Sequence, residues 1–287
     1  MLEKYLSAGD LLVDLAYEIS TLSFMEWARN HDVLYINAAL EVNEPYQDAS
    51  KTDVRHFTLY HRHQELEKRI KSWGRNDGPT ALIEHGANPG LCSHFVKLGM
   101  IHIANKIINE KPNEDPARTA LLRDLVASKN FPLLAMTLGI KAIHVSERDT
   151  QVTNKPKRAN EFVNTWSPLG FFQEGVAPAE LGWGTHEKKL PPQGVAFEEG
   201  PKYSICLKTK GINTYVRSWV PMPGDSGDII GMVVRHGESY TIPQHLSVYD
   251  DQGSCIYRPT CHYAYLPSDA AMNSLQEVRF YDPISLT

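Results

Sequence analysis

No segment of the 287-residue chain fits G-x-G-x-x-G, the glycine loop whose backbone N–H groups cradle a dinucleotide pyrophosphate at a helix N-terminus. The nearest approach, Gly182-Trp183-Gly184-Thr185-His186-Glu187, carries Glu187 where the third glycine is needed. Positive charge is in deficit: the formal net charge is −5, which argues against a nucleic-acid surface. The basic stretch from Lys51 to Arg75 is interleaved with Asp53, Glu65 and Glu67 and reads as a solvated helix face. Cysteine is sparse. Cys92, Cys206, Cys255 and Cys261 form no C-x-x-C, so neither a disulfide framework nor a zinc cluster is expected, and reduced thiols are. There is no apolar run of the roughly 18 residues a membrane span requires and no signal-peptide core, so the expected location is the cytoplasm. H-E-x-x-H is missing, and no metal is expected.

What is present is an alternation. Short apolar runs at Leu11–Leu15, Val33–Ile36 and Ala81–Ile83 are separated by helical patterns at Thr21–Arg29 and Phe57–Trp73. That order predicts a parallel sheet with covering helices. A helix is expected to open at Asn88 as N-cap with Pro89 behind it, burying Phe95, Leu98, Ile101, Ile103 and Ile107. Further helices are expected at Pro116–Ser128 and Phe131–Thr137, then a strand at Ile140–Val145. Beyond residue 160 the chain becomes rich in Gly, Pro and β-branched residues. Strands are expected there at Tyr203–Leu207, Thr214–Val220, Ile229–Val234, Tyr240–Val248 and Ile256–Arg258. The reading is α/β, with residues 1–140 as a partial parallel-sheet domain and 141–287 as a mostly antiparallel α+β domain.

Several polar residues fall where such folds place chemistry. Glu147 follows a strand, and open α/β sheets bind ligands beyond strand carboxyl ends. Trp166, in a loop ahead of Pro168 and Gly170, can hold a cation together with Glu174, the ring face contributing about 0.5–2 kcal/mol. His236 and Glu238 are spaced i, i+2, which in an extended segment places both on one face, able to share a proton or accept an ammonium. Two motifs are set aside. Gly224-Asp225-Ser226-Gly227 lacks the further glycine of a protease nucleophile turn, and His61-Arg62-His63 is expected to face solvent.

Taken in order, four blocks closely resemble the bacterial homospermidine synthases of the saccharopine-dehydrogenase-like proteins. They are Gly86-Ala87-Asn88-Pro89-Gly90 with Ser93-His94-Phe95-Val96, Val163-Asn164-Thr165-Trp166-Ser167, Pro178 to Glu187, and Tyr257 to Tyr265. The resemblance implies a Rossmann-like domain, incomplete here, and a second domain that shapes the substrate pocket and the contact of a homodimer. It implies NAD as cofactor and putrescine or related diamines as substrates. One diamine gives up a hydride, the imine loses ammonia as a second diamine condenses, and the new imine is reduced by the same NADH. It places Trp166 over the substrate ammonium, with Glu147 and Glu174 beside it and His236 and Glu238 lining the pocket, His236 as a candidate for proton transfer. It puts Asn88 at the nicotinamide end of the cofactor site and Leu15 and Ala38 near its ribose.

Family members begin with the glycine loop and run past residue 287, so the chain reads as truncated, with an exposed sheet edge and weak or no NAD binding on its own. Two alternatives stand beside the synthase. A related saccharopine-dehydrogenase-like oxidoreductase would release NADH, and an inactive remnant would have no glycine loop encoded upstream.

Overall fold

The computed structural model describes residues 1–17, 19–42, 53–74, 77–110, 113–222 and 225–281. Its first unit is a three-stranded parallel sheet in the order β1 (Leu11–Asp14), β2 (Leu34–Asn37), β3 (Ala81–Leu82). Between the strands run α1 (Thr21–Asn30) and α2 (Leu59–Ser72). Ser20 caps α1 through the N–H of Ser23 and Thr58 caps α2 through the N–H of His61, the hydroxyl in each case taking a donor that has no partner inside its helix. Strand alternation sends Leu12 and Tyr35 to one face, where they pack with Met25, Ala28 and Leu66 of the helices. Leu11, Val13, Leu34 and Leu82 remain exposed.

Three helices follow: α3 (Leu91–Glu110), α4 (Pro116–Ala127) and α5 (Phe131–Leu138). Then come β4 (Ala142–Arg148), α6 (Pro168–Val176), β5 (Pro178–Gly182), β6 (Gly194–Ala196), β7 (Ser204–Lys210), β8 (Tyr215–Met222) and β9 (Asp225–Val233). The chain continues through α7 (Glu238–Leu246), the short pair β10 (Val248–Tyr249) and β11 (Cys255–Tyr257), β12 (Thr260–Leu266) and α8 (Asp269–Tyr281). The larger sheet has seven strands along β6-β7-β5-β12-β9-β8, with β4 paired to β12. Only the β4–β12 pairing is parallel within it. Helices α3, α4 and α5 belong to its core, since Met100, Ala104, Ile108, Leu122 and Leu134 pack with Val145, Tyr263 and Tyr265 of the strands.

Four expectations change. Residues 240–246 form most of α7 rather than a strand, and only Val248 of the expected strand lies in one, β10, because Tyr240, Ile242, Pro243 and Leu246 are buried on nearly every side and leave no periodic signal. Helix α3 begins at Leu91: the N–H of Gly86 bonds the carbonyl of Pro89 at 2.7 Å, closing a turn, and the Asn88 amide is turned away to Glu147. The buried line of α3 is Met100, Ala104 and Ile108, while Phe95, Leu98 and Ile103 stay about half exposed. His63 is buried, not solvated, and bonds Glu84. Gly224, Lys51 and Arg75 of the motifs discussed above lie outside the described residues.

Among the described residues no helix is long and apolar enough to cross a membrane, and no three His, Cys, Asp or Glu are grouped to hold a metal.

Candidate active site

One open cavity of about 650 Å³ lies between the two units. Leu15, Ala16, Ala38 and Leu40, just past the carboxyl ends of β1 and β2, form one wall. That is the position at which open parallel sheets take ligands. Glu147, Trp166, Glu174, His236 and Tyr263 form the other, and Asn88 lies between. Of the eight residues singled out from the sequence, seven line this cavity. The eighth, Glu238, stands behind His236 and binds it.

The convergence of Trp166 and Glu174 has a helical cause. Ser167 caps α6 by accepting the N–H of Gly170 at 3.0 Å, and Pro168 occupies the first turn. Trp166, Gly170 and Glu174 then follow one another at the i, i+4 spacing that stacks positions on one helix face. Gly170 makes room for the indole, since a Cβ there would come within 2.9 Å of the Trp166 ring. Trp166 stays 40 % exposed, with its Nε1–H donating to the Tyr265 hydroxyl at 3.2 Å.

Strand β12 builds the floor. Tyr263 and Tyr265, two apart on one face of the strand, bury their rings in the core and turn their hydroxyls to the cavity. The Tyr263 hydroxyl donates to Glu147, which β4 brings alongside through the register Tyr265 to Glu147. The Asn88 amide donates to the same Glu147 oxygen at 3.0 Å and also to the Tyr263 hydroxyl. Asn88, Tyr263 and Glu147 thus hold one another with a carboxylate facing the cavity.

The Tyr263 ring stacks on that of His236, with centroids 4.0 Å apart and planes 9° from parallel. His236 Nδ1 pairs with Glu238 Oε2 across a helical turn at Gly237, not along the extended segment expected from the spacing. Burial works against charge on His236, but the hydrogen bond and charge of Glu238, with the charges of Glu174 and Glu84, outweigh it and raise its pKa. Burial likewise disfavours charge on Glu238, yet His236 and the N–H of Gly90, 2.9 Å away, bring its pKa below the usual value. An imidazolium–carboxylate pair results. Removal from water pushes the Glu174 carboxyl up to about 7, with Glu147 and Glu238 adding to the rise and His236 and Arg235 opposing it.

The cavity therefore presents an aromatic face and carboxylates, one of them ready to ionise near neutrality, beside an acid–base pair. Such a surface suits an organic ammonium.

The sequence matches two family models. The family model for the saccharopine dehydrogenase C-terminal domain matches residues 86–285, and that for the saccharopine dehydrogenase NADP binding domain matches residues 1–82. The chain belongs to the saccharopine dehydrogenase family. Its relatives include two homospermidine synthases. That of Mesorhizobium japonicum is 38 % identical over 269 residues, covering 93 % of this chain and 52 % of the relative. That of Blastochloris viridis is 37 % identical over 285 residues, covering 97 % and 56 %. The crystal structure of the Legionella pneumophila homospermidine synthase in complex with NAD superposes with a TM-score of 0.77 at 35 % identity, covering 98 % of this chain and 55 % of that one. The saccharopine dehydrogenase-family chain thus spans about half the length of the curated relatives it matches.

Reading single residues missed Tyr263 and Tyr265, whose i, i+2 spacing before Leu266 was the available signal, and Glu84, which sits in the loop after β3 with no periodicity to mark it.

Proposed function

We propose that the chain carries out, or forms the substrate-binding part of, NAD-dependent aminobutyl transfer between two putrescine molecules, giving homospermidine and ammonia. The observation that carries this reading is the meeting of Trp166, Glu147 and Glu174 in one cavity whose opposite wall is made of parallel-strand ends. A diamine dication needs a ring face and carboxylates on one side and a nicotinamide on the other.

The residues present fit a nicotinamide and its ribose. Ala16 and Ala38 leave the strand ends open to close approach, and Asn88 offers an amide at the border of the two walls. Leu15 and Ala38 would hold the ribose end, and Asn88 the nicotinamide end. NAD, when bound, supplies the acceptor and then the donor of a hydride.

The protein groups do the rest. Trp166 and Glu174 hold one ammonium, while Glu147, fixed by Tyr263 and Asn88, sets where the reacting amine lies. His236, charged through Glu238, holds a proton at Nε2 for the amine that leaves and takes one from the amine that attacks. On this reading the enzyme works in the cytoplasm, its four cysteines unpaired, and assembles as a homodimer.

Incubation with putrescine and NAD, with mass-spectrometric detection of homospermidine, tests the proposal. Product formation that is abolished by Trp166→Ala or Glu174→Ala is expected. Release of NADH into solution without homospermidine would instead indicate a dehydrogenase of the same fold.

A further inference from the structure

Glu84 is a buried acid that the reading above does not use. It follows β3 with φ at +55°, in the left-handed region, where a residue with a side chain costs on the order of 1–2 kcal/mol. Two hydrogen bonds hold it there. Its N–H donates to Asn37 Oδ1 at 2.9 Å, and Asn37 is itself tied to the Thr21 and Tyr35 hydroxyls at 3.1 and 3.2 Å. Its Oε2 pairs with His63 Nε2 at 2.9 Å, both side chains being nearly sealed from water. The His63 ring lies against that of Tyr240, with centroids 4.5 Å apart.

The carboxyl of Glu84 ends at Gly237. With φ at −55° and ψ at −41°, Gly237 has a backbone that any residue adopts, so its lack of a side chain is not a conformational need. The need is space. A Cβ at position 237 would overlap the Glu84 carboxyl, 3.0 Å from its Cδ and closer still to Oε2. Gly237 is the residue between His236 and Glu238.

We propose that Glu84, clamped by His63, is a positioning residue: it fills the empty side-chain position of Gly237 and so fixes the turn that presents the His236–Glu238 pair to the cavity. The proposal deepens the diamine reading and rests on it for the use to which the pair is put. It ties the ends of β2 and β3 to the acid–base pair of the other unit. The groups facing His236 are Glu238 from α7, Glu174 from α6, Glu84 from the loop after β3 and the Tyr263 ring from β12. Removing one negative charge from that set makes the imidazolium harder to keep.

Two measurements test this. The first follows the His236 ring by NMR titration without ligand, its signal identified by its loss in His236→Asn. Glu84→Ala, which empties the space beside Gly237, is expected to lower the midpoint by about 0.5 pH units or more, and His63→Gln to move it the same way by less. An unchanged midpoint in folded Glu84→Ala protein overturns the proposal. The second is a double-mutant cycle in thermal stability. Gly237→Ala is expected to lower the melting temperature, and Glu84→Ser combined with Gly237→Ala to recover part of that loss. Simple additivity of the two overturns the proposal. Neither readout needs a diamine, whereas calorimetry of the unaltered chain with putrescine tests the diamine reading itself, so the two can fail separately.

Discussion

The two walls of the cavity are built on opposite plans. The wall from β4, α6, α7 and β12 is cross-linked: Asn88, Tyr263 and Glu147 bond one another, His236 bonds Glu238, and Trp166 bonds Tyr265. The wall from β1 and β2 is mostly small or apolar just past the strand ends, at Leu15, Ala16, Ala38 and Leu40, with Asp14 taken up by the Tyr35 hydroxyl and Leu15 78 % exposed. Orientation of a small charged substrate demands the first plan, because each bond removes a rotamer before the ligand arrives. A large flat ligand held mainly through backbone and shape demands the second. On the proposed function, the diamine belongs to the cross-linked wall and the cofactor to the open one.

The comparison can be broken by substitution. On the cross-linked wall, Trp166→Ala combined with Glu147→Gln is expected to weaken putrescine binding about 100-fold, the equivalent of about 2.7 kcal/mol, by calorimetry. At the joint between the walls, Glu180 is buried on β5 and accepts the N–H groups of Leu59 and Tyr60 at 2.8 and 3.0 Å, at the start of α2. Glu180→Ala leaves one buried and one half-buried donor without partners and is expected to cost about 2–3 kcal/mol in urea unfolding.

The pH dependence sharpens the picture within one wall. Glu174 must lose its proton to pair with an ammonium, so putrescine affinity is expected to rise about tenfold between about pH 6 and about pH 8, centred near 7. Glu174→Gln flattens that rise. The sign for the unliganded protein is the reverse. The folded-state pKa lies above the unfolded value of about 4.3, so the unfolded chain gives up the proton first and stability falls as pH climbs from there to about 7. Glu174→Gln should therefore raise the melting temperature at about pH 8 and leave it nearly unchanged at about pH 4. The smallest effect belongs to the open wall, where Leu15→Ala is expected to change putrescine affinity less than about twofold.

Much of this was legible in the residues, and the failures have causes. The strand–helix alternation of residues 11–83 needs only propensity and caps, and its elements appear where the pattern puts them. Trp166 and Glu174 could be paired because Pro168 and Gly170 mark Trp166 as a loop residue whose ring face can join a carboxylate. Helix α3 is apolar on too many sides, from Leu91 through Phe95 and Leu98 to Ile107, for periodicity to choose its buried face. Packing against α4 and α5 made the choice. Helix α7 carries Pro243 inside it and β-branched Thr241 and Ile242, which read as strand. Burial overrode that preference. Glu84 and His63, 21 residues apart, meet only because β3 and α2 are neighbours in the folded unit, which no local window can show.

The cap that Glu180 places on α2 also orders events in time. The carboxylate lies 121 positions along the chain from the N–H of Leu59 that it receives. Closing so long a loop is slow and entropically costly, so the first turn of α2 can be completed only after β5 has joined its sheet. The start of α2 is then expected to set together with the larger sheet, and the loss of the parallel unit on denaturation should coincide with that of the larger sheet, in a single cooperative transition rather than two.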